Sequence, residues 1–232
     1  STGEHTRAYL KVQDGCNQFC SYCIIPYVRG RVRSRKKEEI LEEVVRLTDN
    51  GYQEFVLTGI HLSSYGIDCG ESLLSLIQAV HQIEGVRRIR LGSLEPRIIT
   101  EEFAEALSRM PKICPHFHLS LQSGCDETLK RMNRRYTAGE YLEGCRILRR
   151  YFQDPALTTD VIVGFPQETE EEFEASRKMI ETADFYETHI FKYSRRKGTR
   201  ADRMEGQVPE QVKAERSRVL IAMGKEHKQR YM

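Results

Sequence analysis

The sequence predicts an α/β fold with a parallel sheet, in the form of a partial, open TIM-type barrel of about six βα units. Short apolar or β-branched runs alternate with amphipathic runs along the chain, which is the pattern of repeated βα units. Six such units are visible in 232 residues, whereas a closed (β/α)8 barrel takes eight units and ~250 residues. An open doubly wound sheet fits the same pattern, and in either architecture the chemistry collects at the carboxyl ends of the strands. With 39% apolar residues the chain can bury one core of this size. No repeat, low-complexity tract or linker divides it, so residues 1–232 are expected to form one domain.

The strands are expected at Tyr9–Gln13, Glu54–Gly59, Arg88–Gly92, His116–Gln122, Thr158–Val163 and Thr188–Tyr193. Each is short and most are followed by polar residues or glycine. The first helix carries Ile40, Leu41, Val44, Val45 and Leu47 at 3–4 spacing and is stopped by Asn50-Gly51. A second carries Leu73, Leu74, Ile77 and Val80, a third Leu142, Cys145 and Leu148, and a fourth Phe173, Met179 and Ile180. The last runs from Pro209 to the chain end with Val212, Val219, Leu220 and Met223. The acids from Glu168 to Glu174 fall in the first turns after Pro166, where they complement a helix dipole.

Charge and cysteine usage narrow the class. The net charge is +2, but six cations and no acid lie between Arg29 and Lys37. Smaller clusters occur at Lys130, Arg131, Arg134 and Arg135, and at Arg195, Arg196, Lys197 and Arg200. Such asymmetry fits an anionic partner or a solvated face. No apolar run approaches the ~20 residues of a membrane span, and the start from Ser1 to Lys11 is polar, so no membrane is expected and a cytoplasmic protein is. Seven cysteines without a secretory signal read as reduced or metal-bound thiols rather than a disulfide framework.

Three of them form the sharpest motif: Cys16-Asn-Gln-Phe-Cys20-Ser-Tyr-Cys23, a Cys-x3-Cys-x2-Cys loop directly after a strand. A loop this short can wrap three thiolates around one metal centre. Structural zinc wants paired Cys-x2-Cys units and four protein ligands, and the next cysteine, Cys69, is far away in sequence. A four-iron cluster held by three thiolates, with one iron left free of protein, accounts for the count better. A zinc or RNA-binding module without catalytic activity is the alternative from another class.

Cys16, Cys20 and Cys23, with the aromatic Tyr22 before the last, resemble the loop of the radical S-adenosylmethionine superfamily. The resemblance implies a [4Fe-4S] cluster whose open iron is chelated by S-adenosylmethionine, one-electron cleavage of the sulfonium to methionine and a 5′-deoxyadenosyl radical, and a partial barrel of six units. Asp14-Gly-Cys-Asn, Ile25-Pro26-Tyr27, Arg29-Gly30, Leu121-Gln-Ser-Gly124, Leu129-Lys-x-Met132, Arg135-Tyr136-Thr137, Thr159 to Pro166 and Tyr193-Ser-x-Arg-x-Gly198-Thr199 are similar to the methylthiotransferase family. That family inserts a methylthio group into an unreactive C–H bond, in most members on a tRNA adenosine beside the anticodon. Leu57-Thr-Gly-Ile-His-Leu62 with Tyr65-Gly66 looks like the branch acting on N6-threonylcarbamoyladenosine. Branches acting on isopentenyladenosine or on a ribosomal-protein aspartate are the alternatives. The resemblance further implies tRNA as partner and an electron donor such as a flavodoxin or ferredoxin. It also implies a chain excised from a longer enzyme, with an amino-terminal second-cluster domain and a carboxyl-terminal RNA-gripping β-domain elsewhere.

Strand ends supply the expected cofactor pocket: Tyr22, Gly59, His61, Ser93, Glu95, Gln122, Ser123, Asp160, Gly164 and Tyr193. An adenosine and an amino acid need polar groups for the ribose hydroxyls and charged ends, plus close backbone approach to the ring, which Gly59 and Gly164 would permit. Gln122 and Ser123 could instead cap a helix, and Asp160 could pair with a neighbour. His116 and His118 alternate on one strand and read as packing rather than as a metal pair. Cys69, Cys114, Cys125 and Cys145 lack mutual ligand spacing and read as ordinary thiols. Arg29, Arg31, Arg33 and Arg35 are expected to meet RNA phosphates at the barrel mouth, or to be a solvated face paired with Glu38, Glu39, Glu42 and Glu43.

Overall fold

A computed structural model describes residues 7–230. Among these residues seven strands form: β1 Arg7–Asp14, β2 Arg33–Ser34, β3 Glu54–Gly59, β4 Arg88–Leu91, β5 His116–His118, β6 Ala156–Val163 and β7 Glu187–Lys192. Eight α-helices accompany them: α1 Ile25–Arg29, α2 Lys37–Asp49, α3 Leu73–His81, α4 Glu101–Ser108, α5 Asp126–Arg131, α6 Ala138–Tyr151, α7 Glu170–Ala183 and α8 Glu210–Arg230. The ladders run β2-β1-β3-β4 and β5-β6-β7, parallel throughout except for the two-residue β2. Parallel bridges at Ile89–Ile113 and Leu94–Leu119 stitch β4 to β5, with Leu94 N–H donating to the His118 carbonyl at 2.8 Å. Six parallel strands in chain order therefore make one continuous sheet. Among the described residues no ladder joins β1 to β7, so the barrel is open, as the sequence predicts.

Strand alternation separates the two faces. Leu10, Val12, Phe55, Leu57, Ile89, Phe117, Leu157, Val161 and Val163 are buried in one core with the helical residues Ile40, Val44, Leu76, Ile77, Phe103, Leu107, Tyr141, Leu148, Phe173 and Ile180. The other parity faces the concave side and is mostly polar, with Glu54, Arg90, His118, Thr158 and Asp160 beside the apolar Val56 and Ile162. A polar inner face has no reason to close on itself, which leaves room for a ligand.

The expected helices are present, each entered by a hydroxyl cap where the sequence offers one. Ser72, Thr100, Thr137 and Thr169 accept backbone N–H groups of the first turns of α3, α4, α6 and α7, each cap worth about 1 kcal/mol. The short α1, β2, α4 and α5 were not expected. Three of the four have six residues or fewer, too few for periodicity, whereas α4 was legible in Thr100-Glu-Glu and a buried Phe103. β5 stops at His118, short of the expected Gln122: Leu121 N–H donates to the Thr159 hydroxyl at 3.0 Å instead of to the ladder, and pairing with β6 resumes at a single bridge from Gln122, φ 70°, to Val161.

Glu168 corrects the expectation for the acidic run. It precedes the N-cap Thr169 and is buried; its carboxylate accepts Gly164 N–H at 2.8 Å and Arg216 Nη1–H at 2.9 Å. Desolvation outweighs these partners and holds the carboxyl above its usual range. Arg216 and Lys213, not an apolar stripe alone, dock α8, with Lys213 Nζ donating to the Tyr193 carbonyl at 3.0 Å. Arg216→Met leaves a buried charge without its partner and is expected to cost about 3–5 kcal/mol in denaturant unfolding. Adding Glu168→Gln should recover part of that loss. The deficit of Arg216→Met alone should shrink as pH falls through the carboxyl range, since the folded state then takes up the proton more readily than the unfolded one.

Candidate active site

The three thiols lie on the loop between β1 and α1, at the carboxyl end of the sheet. That loop has no ladder of its own, and its shape is imposed by α5 and the turn that follows. Ser21 N–H donates to the Met132 carbonyl at 2.9 Å and Ser21 Oγ–H to the Arg131 carbonyl at 2.5 Å. Asn133, in the left-handed region with φ 59°, donates through Nδ2 to the Phe19 carbonyl at 2.9 Å. The spent C-terminal carbonyls of a helix thus anchor the loop. Arg131 is itself fixed by two bonds to the Glu172 carboxylate, at 2.8 and 3.0 Å, which ties α5 to α7. On the other side Ala201 N–H donates to the Ser21 carbonyl at 2.8 Å, and Asn17 Oδ1 accepts Val32 N–H at 3.1 Å.

Each sulfur has a donor. Gln18 N–H points at Cys16 Sγ and Ile25 N–H at Cys23 Sγ, both at 3.4 Å, and Arg134 Nη1–H at Cys20 Sγ at 3.2 Å. Burial pushes the Cys16 and Cys23 thiols up, so an occupying metal must take their place as the charge partner of the thiolates. Among the described residues no three His, Cys, Asp or Glu side chains converge on a point that a single ion could fill. One zinc needs all its sulfurs within about 2.3 Å of itself, whereas a four-iron cluster takes each thiolate on a different iron and spreads them. Three thiolates on one short loop are the donor set of a cluster that keeps one iron free of protein.

Two cavities open beside the thiols and share Gln122. The first, about 300 Å³, is lined by Tyr22, Cys23, Asp160, Phe191, Tyr193 and Arg196 among others. The second, about 450 Å³, is lined by Gly59, His61, Ser93, Glu95, Ser120 and Arg134 among others. In the second, His61 Nε2–H donates to Glu95 at 3.1 Å while Nδ1 faces the Ser64 hydroxyl. Burial opposes the charge on Glu95, but the bond from His61, with Arg134 and Arg97 nearby, holds its carboxyl below the usual range. Arg134 stacks on Tyr136 at 5.0 Å and donates to its hydroxyl at 3.1 Å. The second cavity therefore presents a carboxylate and a guanidinium facing a common space, a complement for an ammonium and a carboxylate on one ligand.

Eight of the ten expected pocket residues line these cavities, and two do not. Ser123 is fully buried; its hydroxyl accepts Cys125 N–H at 3.1 Å and meets Ser176, so it is consumed by the turn into α5. Gly164, at φ 75°, has the Lys213 side chain where a Cβ would lie. Gly59 borders the second cavity, but its open side is filled by Gln13, whose Oε1 also accepts His61 N–H at 2.9 Å. Both glycines admit a side chain of the protein rather than a ligand. Asp160 accepts from His118 Nε2–H at 3.0 Å, and Thr158 bonds the other ring nitrogen at 2.8 Å. Arg29 and Arg33 flank Asp14 at 3.6 and 3.7 Å, and Arg35 reaches Glu43 at 2.6 Å. Arg31 alone of the four has no carboxylate partner among the described residues. Arg134, Gln13 and Asn133 were missed; Arg134 was visible only as a member of a cation cluster.

A partial βα barrel with a three-thiolate loop at its mouth defines a class of one-electron catalysts. The Radical SAM superfamily model matches residues 10–180, and the chain belongs to that superfamily, whose cofactors are a [4Fe-4S] cluster and S-adenosylmethionine. The chain is 48% identical over 224 residues to the threonylcarbamoyladenosine tRNA methylthiotransferase MtaB of Bacillus subtilis, covering 95% of this chain and 49% of that one. It is 42% identical to the protein of the same name from Thermotoga maritima, covering 98% and 53%. The tRNA-2-methylthio-N(6)-dimethylallyladenosine synthase of Caldicellulosiruptor saccharolyticus is 43% identical, with 96% and 48% covered. The chain thus spans about half the length of these curated relatives. In fold it resembles the radical S-adenosylmethionine methyltransferase TsrM of Kitasatospora setae, solved with cobalamin and a [4Fe-4S] cluster, with TM-score 0.70, 18% identity, and 84% of this chain and 38% of that one covered. Methylornithine synthase gives TM-score 0.64 at 15% identity, with 96% and 62% covered.

The clamp on the loop can be tested by stability. Burial opposes ionisation of Glu172, but the Arg131 bonds hold its carboxyl below the usual value, so their contribution is present above the unfolded-state pKa and lost as pH falls through the lower folded-state one. Arg131→Met should cost about 1–3 kcal/mol at neutral pH, and the gap from wild type should close on acidification in unfolding titrations.

Proposed function

We propose that this chain is the S-adenosylmethionine-cleaving core of a methylthiotransferase acting on N6-threonylcarbamoyladenosine beside the tRNA anticodon. The observation that carries the reading is the meeting of three donor-satisfied thiols with two cavities at Gln122. When bound, the cluster and S-adenosylmethionine supply one-electron cleavage of the sulfonium, with the hard chemistry residing in the cofactors. Cys16, Cys20 and Cys23 hold the cluster. Glu95, kept ionised by His61, binds the amino group of the cofactor, and Arg134 faces its carboxylate. Tyr22, Asp160 and Tyr193 border the adenosine, and Gln122 spans the two halves.

The threonylcarbamoyl branch is supported by the higher identity to a relative of that name, 48% against 43% for the dimethylallyladenosine synthase. Sulfur insertion needs a sulfur source that the four other cysteines do not provide. Cys114 and Cys145 are buried, Cys69 is exposed, and none groups with another; burial pushes the Cys145 thiol up to about 12.

Anaerobic reconstitution should load four irons per chain, and alanine at Cys16, Cys20 or Cys23 should abolish the visible absorption. The reduced protein should release 5′-deoxyadenosine and methionine slowly, and should form no methylthiolated nucleoside on threonylcarbamoylated tRNA. Iron analysis and mass spectrometry of digested tRNA decide both. A triple-alanine chain that still binds four irons, or a methylthiolated nucleoside made by this chain alone, overturns the respective half of the reading.

A further inference from the structure

Three cation clusters far apart in sequence converge on the thiol loop. The segment after α1 is joined to it by Cys16 N–H donating to the Gly30 carbonyl at 3.1 Å and by Val32 N–H donating to Asn17 at 3.1 Å. The turn after α5 is joined through Asn133 and Arg134, as described above. The loop after β7 is joined by the Ala201–Ser21 bond, and Gly198 packs against Ile24. Half of the cations of these clusters have a carboxylate partner: Lys37 on Glu71, Lys130 on Glu127, Arg131 on Glu172 and Arg195 on Asp202 join the paired arginines of the first cluster. Six others, Arg31, Lys36, Arg135, Arg196, Lys197 and Arg200, are exposed and have no carboxylate partner among the described residues.

Within this rim stand two exposed rings. Tyr27 is 57% and Phe19 38% exposed, and they pack edge to face with centroids 5.5 Å apart. The contact braces Tyr27 while more than half of its surface stays exposed. Unpaired cations around an exposed aromatic face are the combination that single-stranded nucleic acid uses: phosphates track the charges and a base stacks on the ring. A duplex offers phosphates but no base face, and its narrow major groove excludes side chains. An acidic electron-donor protein would use the charges and leave the ring idle.

We infer that the rim is a cradle for an unpaired RNA loop, with a base stacked on Tyr27 and the strand's phosphates passing between Arg31 and Arg135 on one side and Lys197 and Arg200 on the other. This rests on the tRNA reading above and adds to it a surface, a strand topology and a stacking residue. It also revises the expected phosphate contacts, since Arg31 is the one of those four arginines without a carboxylate partner among the described residues.

The test uses the reconstituted chain and fluorescence anisotropy with a short labelled RNA hairpin carrying an unpaired loop, against a fully paired duplex of similar length. The hairpin should bind more tightly than the duplex. Tyr27→Ala should weaken hairpin binding about tenfold, within the range for one stacked base, and leave the salt slope unchanged. Lys197→Gln with Arg200→Gln should flatten the slope of log Kd against log salt by about 1 to 2. Neither variant should alter release of 5′-deoxyadenosine without RNA, so a failed radical reading appears in that assay and a failed cradle only in the anisotropy. Equal affinity for hairpin and duplex, an unchanged slope, or Tyr27→Ala binding like wild type overturns the inference. Saturable binding of an acidic electron-donor protein that Tyr27→Ala leaves intact, with no RNA binding, would hand the surface to that partner instead.

Discussion

The anchoring of the thiol loop by the end of α5 is the constraint on which the site depends. A short irregular segment pays the full conformational entropy of ordering, about 1–2 kcal/mol for each residue fixed, and recovers none of it from a ladder. Ser21 and Asn133 supply the return by bonding the loop to a helix terminus whose carbonyls would otherwise face water. Because Arg131 is held by Glu172, the terminus is not free to drift, and the positions of Cys16, Cys20 and Cys23 derive from the packing of α5 on α7. Thiolate spacing is thus a tertiary property of the fold rather than a local property of the motif.

The same arrangement organises charge. Arg134 touches Cys20, borders the second cavity and is stacked on Tyr136, whose hydroxyl donates to the Leu121 carbonyl at 2.7 Å. One guanidinium therefore lies against a proposed cluster ligand and a proposed cofactor space together, and its orientation is fixed from the strand end after β5. Across the cavity Glu95 is fixed by His61, and His61 by Gln13, so the two opposed charges are held by separate chains of contacts that meet only in the ligand. Preorganised opposite charges of this kind cost little reorganisation when a zwitterionic ligand arrives.

Local chemistry was legible and long-range pairing was not. Alternating runs gave six strands and their order, since a parallel unit admits one hand of crossover. The cysteine spacing gave the loop, and His61, Glu95 and Gln122 could be picked out as strand-end polar groups. What escaped notice was whatever is decided by a partner distant in sequence: Asn133 bonding Phe19, Gln13 filling the space beside Gly59, and Lys213 doing the same beside Gly164. A glycine looks alike from sequence whether a ligand or a lysine comes close to it. Ser123 misled for a related reason, since a hydroxyl at a strand end serves a turn as readily as a ribose.

Openness of the barrel connects these features to substrate size. If β1 and β7 were paired, the polar concave face would be sealed from anything larger than the cofactor. With that edge open, Tyr9 on β1 and Phe191 on β7 are 67% and 53% exposed, which on the proposed function leaves a side entrance for a nucleotide attached to a long polymer. The unpaired cations of the three clusters lie on the loops around that mouth, apart from the His118–Asp160 pair on the strands within. Electrostatic attraction of a polyanion is long-ranged and unspecific. On the proposed function, placing it outside leaves the choice of nucleotide to the small number of directed contacts inside, around Gln122, His118 and Asp160.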